Sequence, residues 1–324
     1  MRQRIPLWLT LVPLVVAGLV WFWLWSGYEA RFVADVQRAL PGATIRSGGF
    51  PYRLEATVKP LAATHAGDAL TAGVRAGEMR VNRVPWEADR QVLSFADVAA
   101  EVEVPPLPGI GLAVQAPGAR ASLHLDGRRI VRLSMVWADA RIRAGFLAGE
   151  AVARSFEAHL REIDAVAPMP AGSPRPPMQA ELVFAAEGLE WRGGDPLGLD
   201  ASVALTARGP LRGYAAWADG GTAEIEELRL RDAGGEVASV RATLVPADGG
   251  RLRIAGTIDT VCPATFRAFA AGAAPPPEKR ARKPVRIAFD GWLPGSIALA
   301  PADPSRPPPP VRGQEAPCPR IRGA

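Results

Sequence analysis

Met1-Arg2-Gln3-Arg4 leads into an uncharged run from Ile5 to Trp25, closed by Trp21, Phe22, Trp23 and Trp25. As a helix rising 1.5 Å per residue, that run reaches roughly 30 Å, about the thickness of a bilayer's hydrocarbon core. Arginines on the N-terminal side favour the cytoplasm, and the aromatic cluster suits the far interface, so everything after Tyr28 is expected outside. The rival is a cleaved secretory signal, which needs a shorter apolar core and small residues at a cleavage site. Here the segment from Leu19 to Tyr28 is crowded with Trp and Phe instead, and Ala17-Gly18 lies within the run. Pro6 and Pro13 are compatible with a membrane helix. Residues 1–27 therefore read as a transmembrane anchor.

The rest of the 324-residue chain suffices for one large or two ordinary domains. A net charge of +5 with a pI near 9.7 suggests nucleic acid only superficially, because the basic residues are scattered and the topology removes DNA and RNA from reach. Cys262 and Cys318, each followed by proline, are the only cysteines. In an oxidising compartment they either form a disulfide that pins the tail or remain two thiols. Two widely spaced cysteines do not supply a metal site's usual ligand set.

Beyond the anchor, Phe32, Val33, Val36 and Leu40 recur at helical spacing until Pro41-Gly42. The period then becomes two. Leu54, Ala56 and Val58 alternate with charged and polar residues, and Val98, Ala100, Val102 and Val104 alternate with Ala99, Glu101 and Glu103. Ala119, Ala121, Leu123 and Leu125 lead to a hairpin signal at Asp126-Gly127 and back through Val131, Leu133, Met135 and Trp137. A helix is expected at about 148–166, where Val152, Phe156, Leu160 and Ile163 share a face, and Glu150 with Arg154 and Glu157 with Arg161 stand four apart.

A proline-rich linker over 167–179 then divides a first β-rich half, 28–166, from a second, 180–300. The second half shows Leu199, Ala201, Val203 and Leu205; Ile225, Leu228 and Leu230 with a bulge near Glu226-Glu227; and Val240, Ala242 and Leu244 turning at Asp248-Gly249 into Leu252, Ile254 and Ile258. A short helix near Pro263 to Ala271 precedes a last strand through Val285, Ile287 and Phe289, which ends before Asp290-Gly291. The proline-rich tail, 301–324, reads as disordered. The fold class is mainly β (α+β): a transmembrane helix followed by a large, mostly antiparallel β domain with a few helices.

Three segments carry a resemblance. Gly48-Gly49-Phe50-Pro51-Tyr52-Arg53-Leu54 resembles the hallmark of the bacterial Domain of Unknown Function 2125 family, and two later segments are similar to that family: Trp217 to Gly221 with Ile225 to Leu230 and Gly249 to Gly256, and Phe289 to Gly295. The resemblance implies a membrane-anchored envelope protein of Gram-negative bacteria, held in the inner membrane with most of its chain periplasmic. It supplies no catalytic residues. Its organisation is similar to that of AsmA-type envelope proteins, a fold-level analogy that suggests an apolar groove for lipid. Val102, Val104, Leu123, Leu125, Val203, Leu205, Leu252 and Ile254 are the candidate lining. Phe50, Pro51, Tyr52 and Arg53 either shape the start of the sheet or form a partner epitope.

Catalytic patterns are absent from the sequence. There is no Gly-x-Ser-x-Gly elbow, phosphate loop or His-Glu-x-x-His, and His65, His124 and His159 are far apart. Glu101 with Glu103 and Glu224 with Glu226 could share a strand face, as a wet sheet surface also would. Lys279, Arg280, Arg282, Lys283 and Arg286 form a basic cluster, read as a solvated loop or a contact for phosphate head groups. No cofactor is implied. The partners implied are the membrane, lipid or envelope proteins, without nucleic acid. The expected function is envelope maintenance or lipid handling, with an adaptor as the alternative and a hydrolase as the weaker third reading.

Overall fold

Helix α1 runs unbroken from Leu7 to Ala39 in the computed structural model, which describes residues 7–127, 129–147, 149–163, 176–211, 213–301 and 316–321. At 33 residues it is roughly 50 Å long, more than a bilayer core requires. The expected anchor and the short amphipathic helix after it are thus one rod. Its first part exposes Leu11, Leu14, Leu19 and Trp23, whereas Trp25, Phe32 and Val36 farther along are buried against protein. The helix stops before Gly42, whose φ of 83° suits glycine.

After α1, every strand among the described residues belongs to one antiparallel sheet of 15 strands. In chain order these are β1 (Ile45–Gly48), β2 (Leu54–Val58), β3 (Leu61–Ala66), β4 (Thr71–Arg83), β5 (Arg90–Glu103), β6 (Gly111–Asp126), β7 (Arg129–Ala144) and β8 (Ala151–Glu162). They continue as β9 (Met178–Trp191), β10 (Leu197–Thr206), β11 (Thr222–Asp232), β12 (Gly235–Ala247), β13 (Arg251–Thr260), β14 (Val285–Leu293) and β15 (Ile297–Pro301). Helix α2 (Tyr214–Ala218) lies between β10 and β11, and α3 (Pro263–Ala270) between β13 and β14. Successive strands are neighbours throughout, except that β2 and β3 both pair with β4.

The helix expected at 148–166 is strand β8, paired with β7 on one side and β9 on the other. Because β8 and β9 pair directly, the proline-rich stretch 167–179 joins neighbours within one sheet, with Met178 and Gln179 already in β9; residues 164–175 lie outside the described residues, as do 302–315 and 322–324 of the tail. The strand through Phe289 continues past Asp290-Gly291 to Leu293 and then turns into β15. Other expected features are present: the bulge at Glu226, the turns after Asp126 and Asp248, and the helix beginning at Pro263.

One face of the sheet is apolar from edge to edge. Register carries it: Ala56 pairs with Val81, Val81 with Leu93, and the row continues free of charge through Ala121, Met135, Ala158, Phe184, Ala201, Leu228 and Val240 to Ile258 and Ile287. The opposite face is a mosaic of ion pairs, including Lys59 with Glu78, Arg161 with Glu181, Arg231 with Asp200 and Arg286 with Asp259.

A crease interrupts the alternation. In each of six adjacent strands two inward residues stand three apart rather than two: Ala76 and Met79, Phe95 and Val98, Ala116 and Ala119, Trp137 and Ala140, Ala153 and Phe156, Ala186 and Leu189. Asp97, Asp139 and Gly188, with φ of 51°, 50° and 61°, sit at this line. Aspartate and glycine tolerate that conformation better than most residues. Because every strand makes the same skip, pairing stays in step and the apolar face is kept. Strand twist of roughly 20–25° per step accumulates across the sheet. The β5–β6 connection consequently meets the turns after β12 and β14: Gly250 abuts Pro106, and Gly109 abuts Pro294.

Candidate functional site

The inner face is covered differently along its length. At the N-terminal edge, Trp25, Phe32 and Val36 of α1 lie over Leu54, Ala56 and Val58, each 0% exposed. At the C-terminal edge, Leu107 from the β5–β6 connection and Tyr214 and Trp217 from the α2 region pack with Leu252, Ile254, Phe289 and Leu293. Helix α3 and the Cys262–Cys318 disulfide, with Ile321, close a further cluster around Val237 and Leu197.

Between these covers the face is half-buried. Leu123, Leu133, Leu160, Leu182, Val203 and Ile225 pair in sequence across β6 to β11, forming one aliphatic stripe. Five inter-strand steps of about 4.8 Å make the stripe roughly 24 Å long. Among the described residues, α1 packs chiefly on β1 and β2, α2 on β12 and α3 on β15, so none of the helices lies over its centre.

Of the candidate lining residues, Leu123, Val203 and Leu205 belong to this open stretch, with half-buried Leu125 beside the β6–β7 turn. Val102 is 39% exposed at the other end of β5, and Val104 packs toward the Leu107 cluster. Leu252 and Ile254 do not line a groove: both are sealed by Phe289 and Leu107. Leu133, Leu160, Leu182 and Ile225 are stripe residues that the candidate lining omits. Reading Leu160 as helical removed it, and β9 alternates too weakly, with Val183 and Ala185 facing outward, to announce Leu182 unaided.

The Phe50-Pro51-Tyr52-Arg53 segment is a clasp on α1. Gly49, with φ of 96°, accepts a bond from Arg53 N–H at 3.1 Å, closing the β1–β2 loop. A Cβ on Gly49 would stand 2.3 Å from the Arg53 carbonyl oxygen, so glycine is required there. Phe50 meets Phe22 and Trp25 edge-on at centroid distances of 5.6 and 5.1 Å. Trp21 Nε1–H donates to the Pro51 carbonyl at 3.0 Å. Tyr52 is 77% exposed, and Arg53 pairs with Glu55 at 3.1 Å. Lower on the helix, Arg83 lies over the Phe32 ring at 4.8 Å and reaches Asp35 at 3.4 Å.

The polar groups explain themselves structurally. His124 pairs with Asp89 at 3.1 Å, His159 approaches Glu157 at 3.2 Å, and His65 is exposed on β3. Glu224 accepts from Thr222 at 2.9 Å and Thr243 at 2.5 Å, whereas Glu226 is exposed at the bulge, and Glu101 and Glu103 are exposed on β5. A depression of about 550 Å³ on the polar face is lined by Arg154, Glu157, Glu187, Asp200 and Arg231, with Asp200 engaged by Arg231.

Cys262, Cys318 and Glu278 approach one another, but the sulfurs bond to each other. Glu278 accepts from Ala264 N–H, Thr265 N–H and the Thr265 hydroxyl at 2.9, 2.9 and 3.0 Å, capping the start of α3. The basic cluster divides in the same way. Arg280 is buried against Asp232 and the Gly234 carbonyl, and Arg286 is bound to Asp259.

No family model, curated protein or solved structure matches the chain.

Proposed function

We propose that this chain is a single-pass membrane protein that holds lipid acyl chains on the open part of its inner sheet face, in the service of envelope maintenance. The observation that carries the reading is the aliphatic stripe from Leu123 to Ile225, half-buried between two covered ends of one continuous apolar face. Its length of roughly 24 Å exceeds the ~15 Å that an acyl chain spans in one leaflet. The helix that covers one end of this face is the helix long and apolar enough to cross a membrane.

Packing favours an anchor over a cleaved signal, since removal near Tyr28 would strip Trp21 and Trp25 from the clasp and the core. Arg2 and Arg4 before the span, together with a disulfide that suits an oxidising compartment, support a periplasmic domain on an inner-membrane anchor. The resemblance to the Domain of Unknown Function 2125 family is part of the same proposal. An adaptor role retains Tyr52 and Arg53, because Phe50 and Pro51 are occupied by the anchor. A hydrolase gains nothing from the paired or exposed carboxylates.

Photocrosslinking residues at Leu160 and Leu182, in full-length protein extracted from membranes in mild detergent, test the reading. Lipid adducts at both positions, with none at Val136 on the opposite face, are expected by mass spectrometry. Equal labelling of the two faces, or no lipid at Leu160 and Leu182, would remove the basis for it.

A further inference from the structure

We infer that the sheet domain docks on the bilayer surface through the β1–β2 and β4–β5 connections, with Tyr52 and Trp86 seated in the interfacial layer beside the anchor; this rests on the reading of α1 as a membrane span. The level of the first connection along α1 is fixed by contact. Phe50 touches Phe22 and Trp25, and Trp21 donates to Pro51, so the loop sits beside the C-terminal end of the apolar run. Over the same stretch α1 changes from exposed Leu19, Phe22 and Trp23 to buried Trp25. The edge of the sheet therefore begins where the span ends.

The second connection lies at the same end. Leu54, the first residue of β2, pairs with Arg83, the last of β4, so the chain leaves two adjacent strands about 4.8 Å apart on that side. In the β4–β5 connection Pro85 is buried while Trp86 is 67% exposed. Tyr52, Phe50 and Trp86 are thus exposed in connections at one end of the sheet, the end where Phe50 meets Phe22 and Trp25, and would continue the aromatic belt from the helix onto the sheet. Trp and Tyr favour this layer because the ring is apolar and its N–H or O–H remains in reach of water.

Charge contributes less here. Arg53 is paired with Glu55, His124 with Asp89, and Arg129 with Asp126 and Glu162 around these loops. Docking is therefore expected to depend on aromatic burial and to differ little between zwitterionic and anionic lipid. It would also hold the β6–β9 end of the stripe, Leu123 to Leu182, toward the leaflet from which acyl chains come.

Both native cysteines form the disulfide, so an environment-sensitive fluorophore can be attached to one introduced cysteine at a time, at Val16, Tyr52, Trp86 or Phe146. Phe146 is exposed in the connection at the other strand ends. The full-length variants are reconstituted in phosphatidylcholine vesicles, with and without phosphatidylglycerol, that carry a quencher near the lipid head group. Blue-shifted, quenchable emission at 52 and 86 in both compositions, with unquenched, water-like emission at 146, is the expected result. Water-like emission at 52 and 86 while Val16 reports the hydrocarbon core would overturn the docking and leave the span standing. Water-like emission at Val16 as well would overturn the span and the docking together. Immersion seen only with anionic lipid would replace aromatic docking by charge attraction.

Discussion

At the N-terminal edge of the sheet, Phe32 and Val36 on a continuous helix cover Leu54, Ala56 and Val58 without any covalent tie. At the C-terminal edge, α3 is far shorter, and the cover is completed by a disulfide between residues 56 apart and by the Asp195–Arg320 pair. The difference follows from chain position. Helix α1 is long enough to bring its own apolar stripe, whereas residues 316–321 have little apolar surface beyond Ile321 and need a bond to hold them. Neither cover reaches the stripe between them. The comparison predicts that the two ends fail independently, and that the middle is costly to alter for lipid but cheap for stability.

Phe32→Ala should be the most damaging change. Phe32 is 1% exposed and also carries Arg83 above its ring, so truncation leaves both a cavity and a buried guanidinium with a weaker partner. A loss of about 3–5 kcal/mol is expected in reversible denaturation of the detergent-solubilised chain. If the loss were under ~1 kcal/mol, α1 would be resting on the sheet rather than sealing it. The paired change Cys262→Ala with Cys318→Ala should cost about 2–4 kcal/mol through the loop it releases. Limited proteolysis should then cut near 316–321 while the α1 cover stays protected; simultaneous loss of both would show one cooperative unit.

The open stretch provides the sharper contrast. Leu160→Ala is expected to cost about 1–2 kcal/mol, because Leu160 is half-buried, against ~2–5 kcal/mol for Ile254→Ala under Phe289 and Leu107. Bound lipid should fall in the first variant and persist in the second, measured by mass spectrometry of the purified protein. A smaller effect belongs to Trp21→Phe, which keeps the ring and removes the N–H that Pro51 accepts. About 1 kcal/mol is expected, with protease access rising first at the Gly49 to Arg53 loop.

The sequence made most strands legible because inward and outward residues alternate cleanly, as from Ala119 to Leu125. It misled at β8 for a physical reason: a spacing of four is close to one helical turn and is also two strand periods. Val152, Phe156 and Leu160 satisfy the helical pattern, yet the crease puts Val152 outward and Phe156 inward. Glu157 and Arg161 illustrate the same ambiguity, since Arg161 bonds Glu181 on β9 rather than the residue four before it. The crease itself is a skip of one residue repeated in six strands, and it becomes recognisable only when the strands are placed in register. The clasp was partly legible: Gly49 and Pro51 marked a loop, but nothing in the order of residues showed that Phe50 would meet Phe22 and Trp25.

The weakest tie at the C-terminal edge gives a prediction in pH. Arg320 donates to Asp195 from its side chain and its backbone N–H, and these bonds hold the Asp195 carboxyl below the ordinary carboxylate range. A depressed folded-state pKa stabilises above the unfolded value near 4 and loses that contribution as pH falls through the folded value. With the disulfide intact, the tail is held covalently and acid should change little. In the variant lacking both cysteines, cleavage near 316–321 should rise as pH falls below about 4, and Asp195→Asn should remove that dependence by weakening the tie at every pH. The protease used must itself be acid-active, with an unrelated unstructured peptide as the rate reference. A tail whose release does not change with pH in the cysteine-free variant would mean that Ile321 packing alone holds it, making the two edges more alike than their bonds imply.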